Sequence, residues 1–382
     1  MLIAGEASGD LLAAELVAAL RERFPDAVFF GAGGPKMAAA GVELAFDLTQ
    51  HSVVGITDVL KNIFKFRALF NQLKEQAIHR QPDVVIGVDY GGFNLRFGHA
   101  VKEYVRSNPF STWNPRLVQF VSPQVWASRP GRAHRLEADY DLLLSIFPFE
   151  KAWYAGRVPK LRVEFVGHPM IGRFANDDLR LTRPATSVGT VEKRASTILL
   201  LPGSRRSELQ RHLPVMLAAL QLVQLKQPGV KRKMVLPNES LKRLALSLGG
   251  AQLEIQIGGL AQALRQADLA IASTGTVTME CAFFGVPTVT LYKTSWLTYE
   301  IARRIVTVKS LTMPNLMSGA EVYPEFIQSA ATAENLAGAT LELLQNEARQ
   351  AGIKGQLDRI IASLGEPGAP RRAAAAVASL LS

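Results

Sequence analysis

The chain is short of several things that usually announce a function. Its 382 residues include a single cysteine, Cys281. One thiol cannot close an internal disulfide, and its presence alone suggests a reducing compartment. Set in the apolar run that follows Glu280, it reads as a small core residue rather than a nucleophile. The six histidines are scattered singly, without metal-ligand spacing, so no metal cofactor is expected. No apolar run approaches the ~20 residues of a membrane-spanning helix. The N-terminus does not read as a signal peptide: Met1 leads straight into a short strand, Leu2–Ala4, and then a glycine loop. That strand is brief enough to leave room for residues ahead of Met1. Neither the dinucleotide pattern G-x-G-x-x-G nor a P-loop occurs, which removes the usual support for NAD or ATP. No internal repeat with a period of about 20 to 50 residues is present, so a solenoid is excluded. Acids are outnumbered, 33 Asp and Glu against 43 Lys and Arg, for a net charge of +10. This favours an anionic partner: a membrane surface, a phosphorylated ligand or nucleic acid.

The composition that remains, 48% hydrophobic and 20% charged, is that of an ordinary globular protein long enough for two domains. Short β-rich runs alternate with helical patterns, which predicts parallel sheets of βα units. In the first half the expected strands are Leu2–Ala4, Val28–Phe30, Val84–Val88, Leu117–Val121, Leu142–Ile146 and Val163–Val166, with helices such as Leu11–Arg23 and Leu95–Val105. A polar stretch from Asp177 to Arg194 reads as a linker. A second series follows: Ile198–Leu201, Lys233–Leu236, Leu253–Ile257, Leu269–Ala272 and Thr288–Leu291. The expected fold is therefore α/β, two doubly wound Rossmann-like domains facing across a cleft. Their expected spans are 1–176 and 195–350, with 351–382 as C-terminal helices packing back across the domains or onto a partner chain. Glu334–Leu344 and Arg371–Leu381 are the last expected helices. In such sheets the residues just after each strand meet the ligand.

Those residues carry the chemistry. In "AGEASGD", Ala4 to Asp10, Gly5 and Gly9 allow close backbone approach to a ligand, or else a tight turn capped by Ser8 or Asp10. "GAGGP", Gly31 to Pro35, is equally open between the two. "VVIGVDYGGFN" ends a buried strand in Asp89, a carboxylate suited to deprotonating a hydroxyl, and places Asn94 where it could cap the next helix. "VSPQVWASRPGRAHR" joins Ser122 and Trp126 to Arg129, Arg132 and Arg135; a helix from Gly131 would put the last two on one face, as a phosphate grip or a solvated basic surface. In "LLLPGSRRSEL", Gly203 and Ser204 turn the chain into a helix whose first turn holds Arg205. A cation there opposes the helix dipole and needs an anion, either Glu208 or a ligand phosphate. Ser273, Thr274, Gly275 and Thr276 gather hydroxyls around a glycine at another helix start, a composition suited to a diphosphate. Glu280, a turn beyond Thr276, could accept hydrogen bonds from ribose hydroxyls or pair with an arginine. Finally, "KNIFKFRALFNQLK" interleaves Phe64, Phe66 and Phe70 with Lys61, Lys65 and Arg67, as an interfacial helix does; an ordinary amphipathic core helix is the alternative. No nucleic-acid-binding motif accompanies it.

Read together, "GEASGD", "VDYGGFN", "VSPQVWA", "FPFEK", "FVGHPM", "LLPGSRRSEL", "STGTVTMEC" and "MPNLMSG" resemble, in order, the motifs of bacterial lipid-A-disaccharide synthase, from residue 3 to about residue 320. The resemblance implies a GT-B glycosyltransferase working without metal on the cytoplasmic face of the inner membrane. It implies transfer of diacylglucosamine from UDP to the 6-hydroxyl of diacylglucosamine 1-phosphate, with inversion, giving a β-1,6-linked disaccharide and UDP. Asp89 matches the family's implicated aspartate. Gly203, Ser204, Arg205, Ser273–Thr276, Glu280 and Asn315 of "MPNL" fall to UDP. Glu6, Ser8, Gly9, Asn94, Ser122, Trp126, Arg129 and Arg132 fall to the acceptor and its phosphate. Lys61, Phe64, Lys65, Phe66, Arg67 and Phe70 are the expected membrane contact. The resemblance also allows a homodimer with exchanged C-terminal segments. One departure stands out: Gly92 occupies the position of a second family aspartate. The rival readings are another UDP-sugar GT-B enzyme, a soluble glycosyltransferase or nucleotide-sugar epimerase, and a nucleotide-sugar sensor without turnover.

Overall fold

Two runs of buried parallel strands organise the chain in the computed structural model, which describes residues 1–51, 63–175 and 195–381. Lys61 and the polar stretch from Asp177 to Arg194 lie outside these residues. The chain divides into two compact units, Met1–Arg173 with Leu364–Ser382, and Phe174–Ser363.

The first unit alternates β1 (Leu2–Ala4), α1 (Ala7–Arg21), β2 (Phe30–Gly33), α2 (Pro35–Ala39), β3 (Glu43–Asp47), α3 (Ile63–Arg80), β4 (Val84–Val88), α4 (Gly91–Ser107), β5 (Arg116–Phe120), α5 (Ala133–Asp139), β6 (Leu142–Ser145), α6 (Pro148–Ala155), β7 (Val163–Phe165) and α7 (Pro169–Ala175), within which the division falls. Its seven strands lie in the order β3-β2-β1-β4-β5-β6-β7, and all pairs are parallel. A central parallel strand is covered on both faces, so it reads as an unbroken apolar run; all five residues of β4 are buried. Ile3, Val85, Leu117 and Leu143 meet Leu73 of α3, Phe97 and Val101 of α4 and Tyr154 of α6 in one core.

The second unit contains β8 (Thr197–Leu201), α8 (Arg206–Lys226), β9 (Lys231–Leu236), α9 (Glu239–Ser247), β10 (Glu254–Ile257), α10 (Leu260–Gln266), β11 (Leu269–Ser273), α11 (Val277–Phe283), β12 (Thr288–Tyr292), α12 (Trp296–Ile305), α13 (Met313–Ser318), β13 (Glu325–Ile327), α14 (Ala333–Gln345) and α15 (Glu347–Ser363). The sheet order is β10-β9-β8-β11-β12-β13, again parallel. Both sheets reverse direction beside their first strand, between β1 and β4 and between β8 and β11. That reversal is the switch point at which an open α/β sheet admits a ligand.

Some elements differ from their sequence expectations. The second strand begins at Phe30 rather than Val28 and takes in Gly31 to Gly33, because pairing with β1 on one side and β3 on the other outweighs glycine's weak strand preference. Val28 is left exposed. Edge strands β3 and β13 have no expected counterpart. The second unit runs to Ser363, beyond the expected 350, because α15 buries Ile353, Leu357, Ile360 and Ile361 on one helical stripe and packs against α11 and α13. Helix α16 (Ala369–Ala378) belongs instead to the first unit, where it lies on α1 and Arg372 Nε donates to Val166 O at 2.8 Å.

Candidate functional site

The two loops at the first switch point are built around Asp89. It follows β4 directly, and both it and Tyr90 adopt left-handed backbone angles, φ 52° and 44°. Such a conformation costs a non-glycine residue of order 1 kcal/mol or more and persists only where the surroundings enforce it. Here two buried side-chain amides do so. Asn94 Nδ2 donates to Asp89 O at 2.8 Å and Gln119 Nε2 donates to the same oxygen at 3.0 Å. Asn94 therefore does not cap α4 but sits inside it, 1% exposed, and also reaches Ile3 O and Val88 O. It supports the elbow from beneath rather than presenting a polar group to a ligand. Gln119, likewise fully buried, was not singled out from sequence, where it appears only as a polar interruption in an apolar strand.

Among the described residues, the side-chain hydrogen-bond partner of the Asp89 carboxylate is Ser8 Oγ, which donates to Oδ2 at 3.4 Å. Burial raises the pKa of this carboxyl above the ordinary aspartate value, against the opposing hydrogen bonds from the Tyr90 N–H and Ser8. Ser8 is exposed, Glu6 half-buried and Gly9 buried. Asp10, an expected cap of α1, serves a different helix: its oxygens accept from Gly34 N, Lys36 N and Met37 N at 2.8 to 3.0 Å, closing the start of α2.

The loop after β5 differs most from its sequence expectation. Ser122 and Trp126 are buried. The Ser122 hydroxyl lies 2.9 Å from Tyr154 Oη, and Trp126 Nε1 donates to Glu150 Oε1 at 3.0 Å. Both side chains tie the loop to α6 and are turned away from solvent. Glu150, 1% exposed, also accepts from Phe147 N, and burial pushes its carboxyl up to about 7. Between about pH 4.5 and 7 the unfolded chain has released this proton and the native chain keeps it. Stability contributed by the protonated form thus declines as pH rises through that window, by at most ~1.4 kcal/mol per unit. Glu150→Gln is expected to flatten this part of the stability curve in urea titrations; an unchanged slope would exclude Glu150 as its source.

Beyond Trp126 the chain does not continue as one helix from Gly131. A 3-10 turn, Pro130–Arg132, precedes α5, and Arg129 has φ 64°. The basic group is larger than the sequence showed. Burial, with the guanidiniums of Arg129, Arg96 and Arg135, pushes Arg132 below the usual arginine value. Arg96 comes from α4, one helix removed in sequence, and only tertiary packing brings it here.

At the second switch point, loops 202–205 and 274–276 leave paired strands β8 and β11. Gly203 has φ 121°, and the Glu208 side chain crosses the space a Cβ would fill. That approach lets Glu208 accept from Ser204 N at 3.0 Å and pair with Arg205 Nη1 at 3.1 Å. The local counter-ion expected as one option for Arg205 is thus present. His212, fully buried, fastens the same loop: Nδ1 lies 2.9 Å from Pro202 O, and Nε2 accepts from Lys293 N at 3.0 Å. Burial lowers its pKa, consistent with a neutral ring. Ser273 is buried at the end of β11, Thr274 half-buried, and Gly275 and Thr276 exposed. Glu280 is half-buried in the first turn of α11, while Met279, Cys281, Ala282 and Phe283 are buried beside it. Burial pushes the Cys281 thiol up to about 12, which fits an inert core residue. Asn315 stands elsewhere. It is 3% exposed, its amide donates to Tyr323 O and Glu325 Oε1, and its carbonyl accepts from Val322 N and Tyr323 N. It clasps α13 to the approach to β13, and no polar group of it faces outward.

In the aromatic-basic helix, Phe64 is 83% exposed and Lys65 and Arg67 are exposed, with Phe66 half-buried. Phe70 departs from the expected membrane contact: it packs edge-on against Phe93 and Phe97, with centroids 5.4 and 5.6 Å apart, as part of the core. No described helix is long and apolar enough to cross a membrane. Among the described residues, no three His, Cys, Asp or Glu side chains gather as a metal site requires.

Solved structures with the same architecture include a UDP complex of S. aureus MnaA, at TM-score 0.64 and 12% identity, covering 100% of this chain and 96% of that one. The calicheamicin glycosyltransferase CalG4 aligns at TM-score 0.58 and 15% identity, with coverage of 100% and 96%. At such identities they establish the fold alone: two parallel doubly wound units of the GT-B class. The sequence model of the family described as Lipid-A-disaccharide synthetase matches residues 1–379. The Lipid-A-disaccharide synthase of Trichlorobacter lovleyi is 38% identical over 390 aligned positions, covering 100% of this chain and 97% of that protein. The chain belongs to the lipid-A-disaccharide synthetase family, and its activity is that of a glycosyltransferase forming the lipid A disaccharide from a UDP-sugar donor and a sugar-phosphate acceptor.

Proposed function

We propose that Asp89 is the general base of an inverting transfer. It takes the proton of the acceptor's 6-hydroxyl as that oxygen attacks the anomeric carbon, and the bond from that carbon to UDP breaks. The donor is UDP-2,3-diacylglucosamine, the acceptor 2,3-diacylglucosamine 1-phosphate, and the products are the β-1,6-linked disaccharide 1-phosphate and UDP. The observation that carries this reading is the buried elbow: Asp89 is held at the carboxyl end of β4 by its backbone, leaving its carboxylate to the reaction. An aspartate with a pKa near ~3.9 is a weak base, so a burial-raised value supports the role. Burial thereby supplies in part what a second acid at position 92 would supply by charge repulsion.

The departing diphosphate is met by Arg205, Gly203, Ser204 and the loop from Ser273 to Thr276, with Glu280 on the ribose and no metal required. Asn315 enters this arrangement only by holding α13 in place. Arg129 and Arg132, with Arg96, supply the charge for the acceptor phosphate, beside Glu6, Ser8 and Gly9. Asn94, Ser122 and Trp126 keep those loops in position. The exposed start of α3, with Phe64, Lys65, Phe66 and Arg67, rests on an anionic bilayer, placing the protein peripherally on the inner face of the inner membrane.

Incubation with UDP-2,3-diacylglucosamine and 2,3-diacylglucosamine 1-phosphate is expected to yield a disaccharide of the corresponding mass with a β anomeric coupling by NMR. An α linkage would overturn the inverting reading, and absence of product would overturn the substrate assignment.

A further inference from the structure

Helix α12 turns its large apolar side chains outward. Trp296 is 72% exposed, Leu297 59% and Ile301 36%, and no residue of the helix is buried. At about 100° per residue, Trp296, Leu297, Glu300, Ile301 and Arg304 share one arc of the helix surface. A helix on the outside of a globular protein normally does the reverse and keeps its apolar stripe inward. Elsewhere among the described residues the exposed large apolar side chains, such as Phe64, Phe110 and Leu225, stand singly on different elements or loops. Single exposures are normal; three on one ten-residue helix are a patch.

The charge along this segment of the sequence has one sign in excess. Residues 293 to 309 contain Lys293, Arg303, Arg304 and Lys309 against the single acid Glu300. Arg303 Nε and Arg304 Nη2 share one oxygen of Glu300, at 3.0 and 3.6 Å, so one negative charge serves two exposed guanidiniums.

We propose that α12 is an interfacial helix of the donor-binding unit. Its Trp–Leu–Ile face enters the headgroup region of an anionic bilayer while Arg303 and Arg304 engage lipid phosphates. Size favours a bilayer over a protein partner. A stable protein interface needs about 800 Å² per side, from some 20 to 30 residues, whereas shallow membrane insertion works with a few apolar side chains and a basic rim. Tryptophan suits this depth, with an apolar ring and an N–H that stays hydrated. The activity also fits, since the lipid A disaccharide is itself a lipid and must leave the enzyme for a bilayer. The inference shares with the preceding reading only that the surface is a membrane; the contact lies on a different unit from Phe64.

The test uses the full chain with vesicles of phosphatidylglycerol and phosphatidylcholine in about equal parts, and of phosphatidylcholine alone. The triple variant Trp296→Ser, Leu297→Ser, Ile301→Ser is expected to lower flotation with anionic vesicles about tenfold or more, with UDP binding retained as the check on folding. In the unmodified chain, anionic vesicles should shift tryptophan emission to the blue and brominated lipids should quench it, both effects disappearing in Trp296→Phe. Wild-type flotation by the triple variant overturns the inference, whatever Phe64→Ser with Phe66→Ser does. If that second variant alone loses binding, the α3 contact stands and the α12 contact falls; if only the triple variant loses it, the reverse holds. A changed oligomeric state by light scattering with vesicle binding intact assigns α12 to a second copy of the chain and likewise overturns the proposal.

Discussion

Asp89→Asn is expected to lower the transfer rate by about 10²- to 10⁴-fold while leaving UDP affinity unchanged. The substitution is nearly isosteric. What fixes residue 89 is its backbone carbonyl, gripped by Asn94 and Gln119, so the elbow does not depend on the carboxylate it presents. Ser8 can still approach the side chain. What an amide cannot do is accept the hydroxyl proton. The pH profile gives an independent check. A base must be ionised to act, and burial favours the protonated form of Asp89, so kcat/KM should fall on the acid side at a pH above the ordinary aspartate range. That limb should vanish in the residual activity of the variant. A variant with undiminished rate would place the base elsewhere, and one with weakened UDP binding would mean that the substitution had disturbed more than the proton transfer.

The position of Asp89 was legible because a central parallel strand writes itself as an unbroken apolar run, and the residue that ends the run stands at the sheet's carboxyl edge. The same logic located Arg205 after β8 and the Ser273–Thr276 loop after β11. What sequence could not tell was the direction of each polar side chain. Asn94, Ser122, Trp126 and Asn315 have the right chemistry for a ligand, yet each is buried and bonded to the protein. Their partners lie far along the chain or depend on a loop's exact path, as with Asn94 and Ile3 O, 91 residues apart. Gln119, His212 and Glu150 were missed for the complementary reason. Each is one polar residue in an apolar or helical stretch, and only the fold shows that it holds a loop.

Fold-level expectations failed where local preference and tertiary pairing pull apart. Phe30–Gly33 contains two glycines and looks like a turn, but β1 and β3 flank it and recruit it as a strand. Edge strand Glu325–Ile327 has three residues, too few to show a period. The C-terminal segment expected over 351–382 divides between the units, and nothing in its sequence marks where. Helix α15 follows its apolar stripe into the second unit, and α16 is drawn to α1.

Asp10→Ala is expected to destabilise the first unit by about 3 to 5 kcal/mol, since three backbone N–H groups at the start of α2 lose a charged acceptor together. Calorimetry should show the loss as an earlier transition for that unit, with UDP binding by the folded second unit unchanged. Asp10→Asn should fall between. Its single oxygen can keep the bonds from Gly34 N and Met37 N, but an amide nitrogen then opposes Lys36 N. A variant with wild-type melting and a raised KM for the acceptor would instead make Asp10 a ligand contact. The structure argues against that outcome through Gly34, where a Cβ would lie 2.6 Å from Asp10 Oδ2. The acid and the glycine form one device, in which the missing side chain makes room for the carboxylate that caps the helix. Asp10 of the "GEASGD" motif therefore serves the fold. Glu6, Ser8 and Gly9 are the residues of the motif proposed to serve the acceptor, and Asp10→Ala separates the two roles by changing stability without touching Ser8 or Asp89.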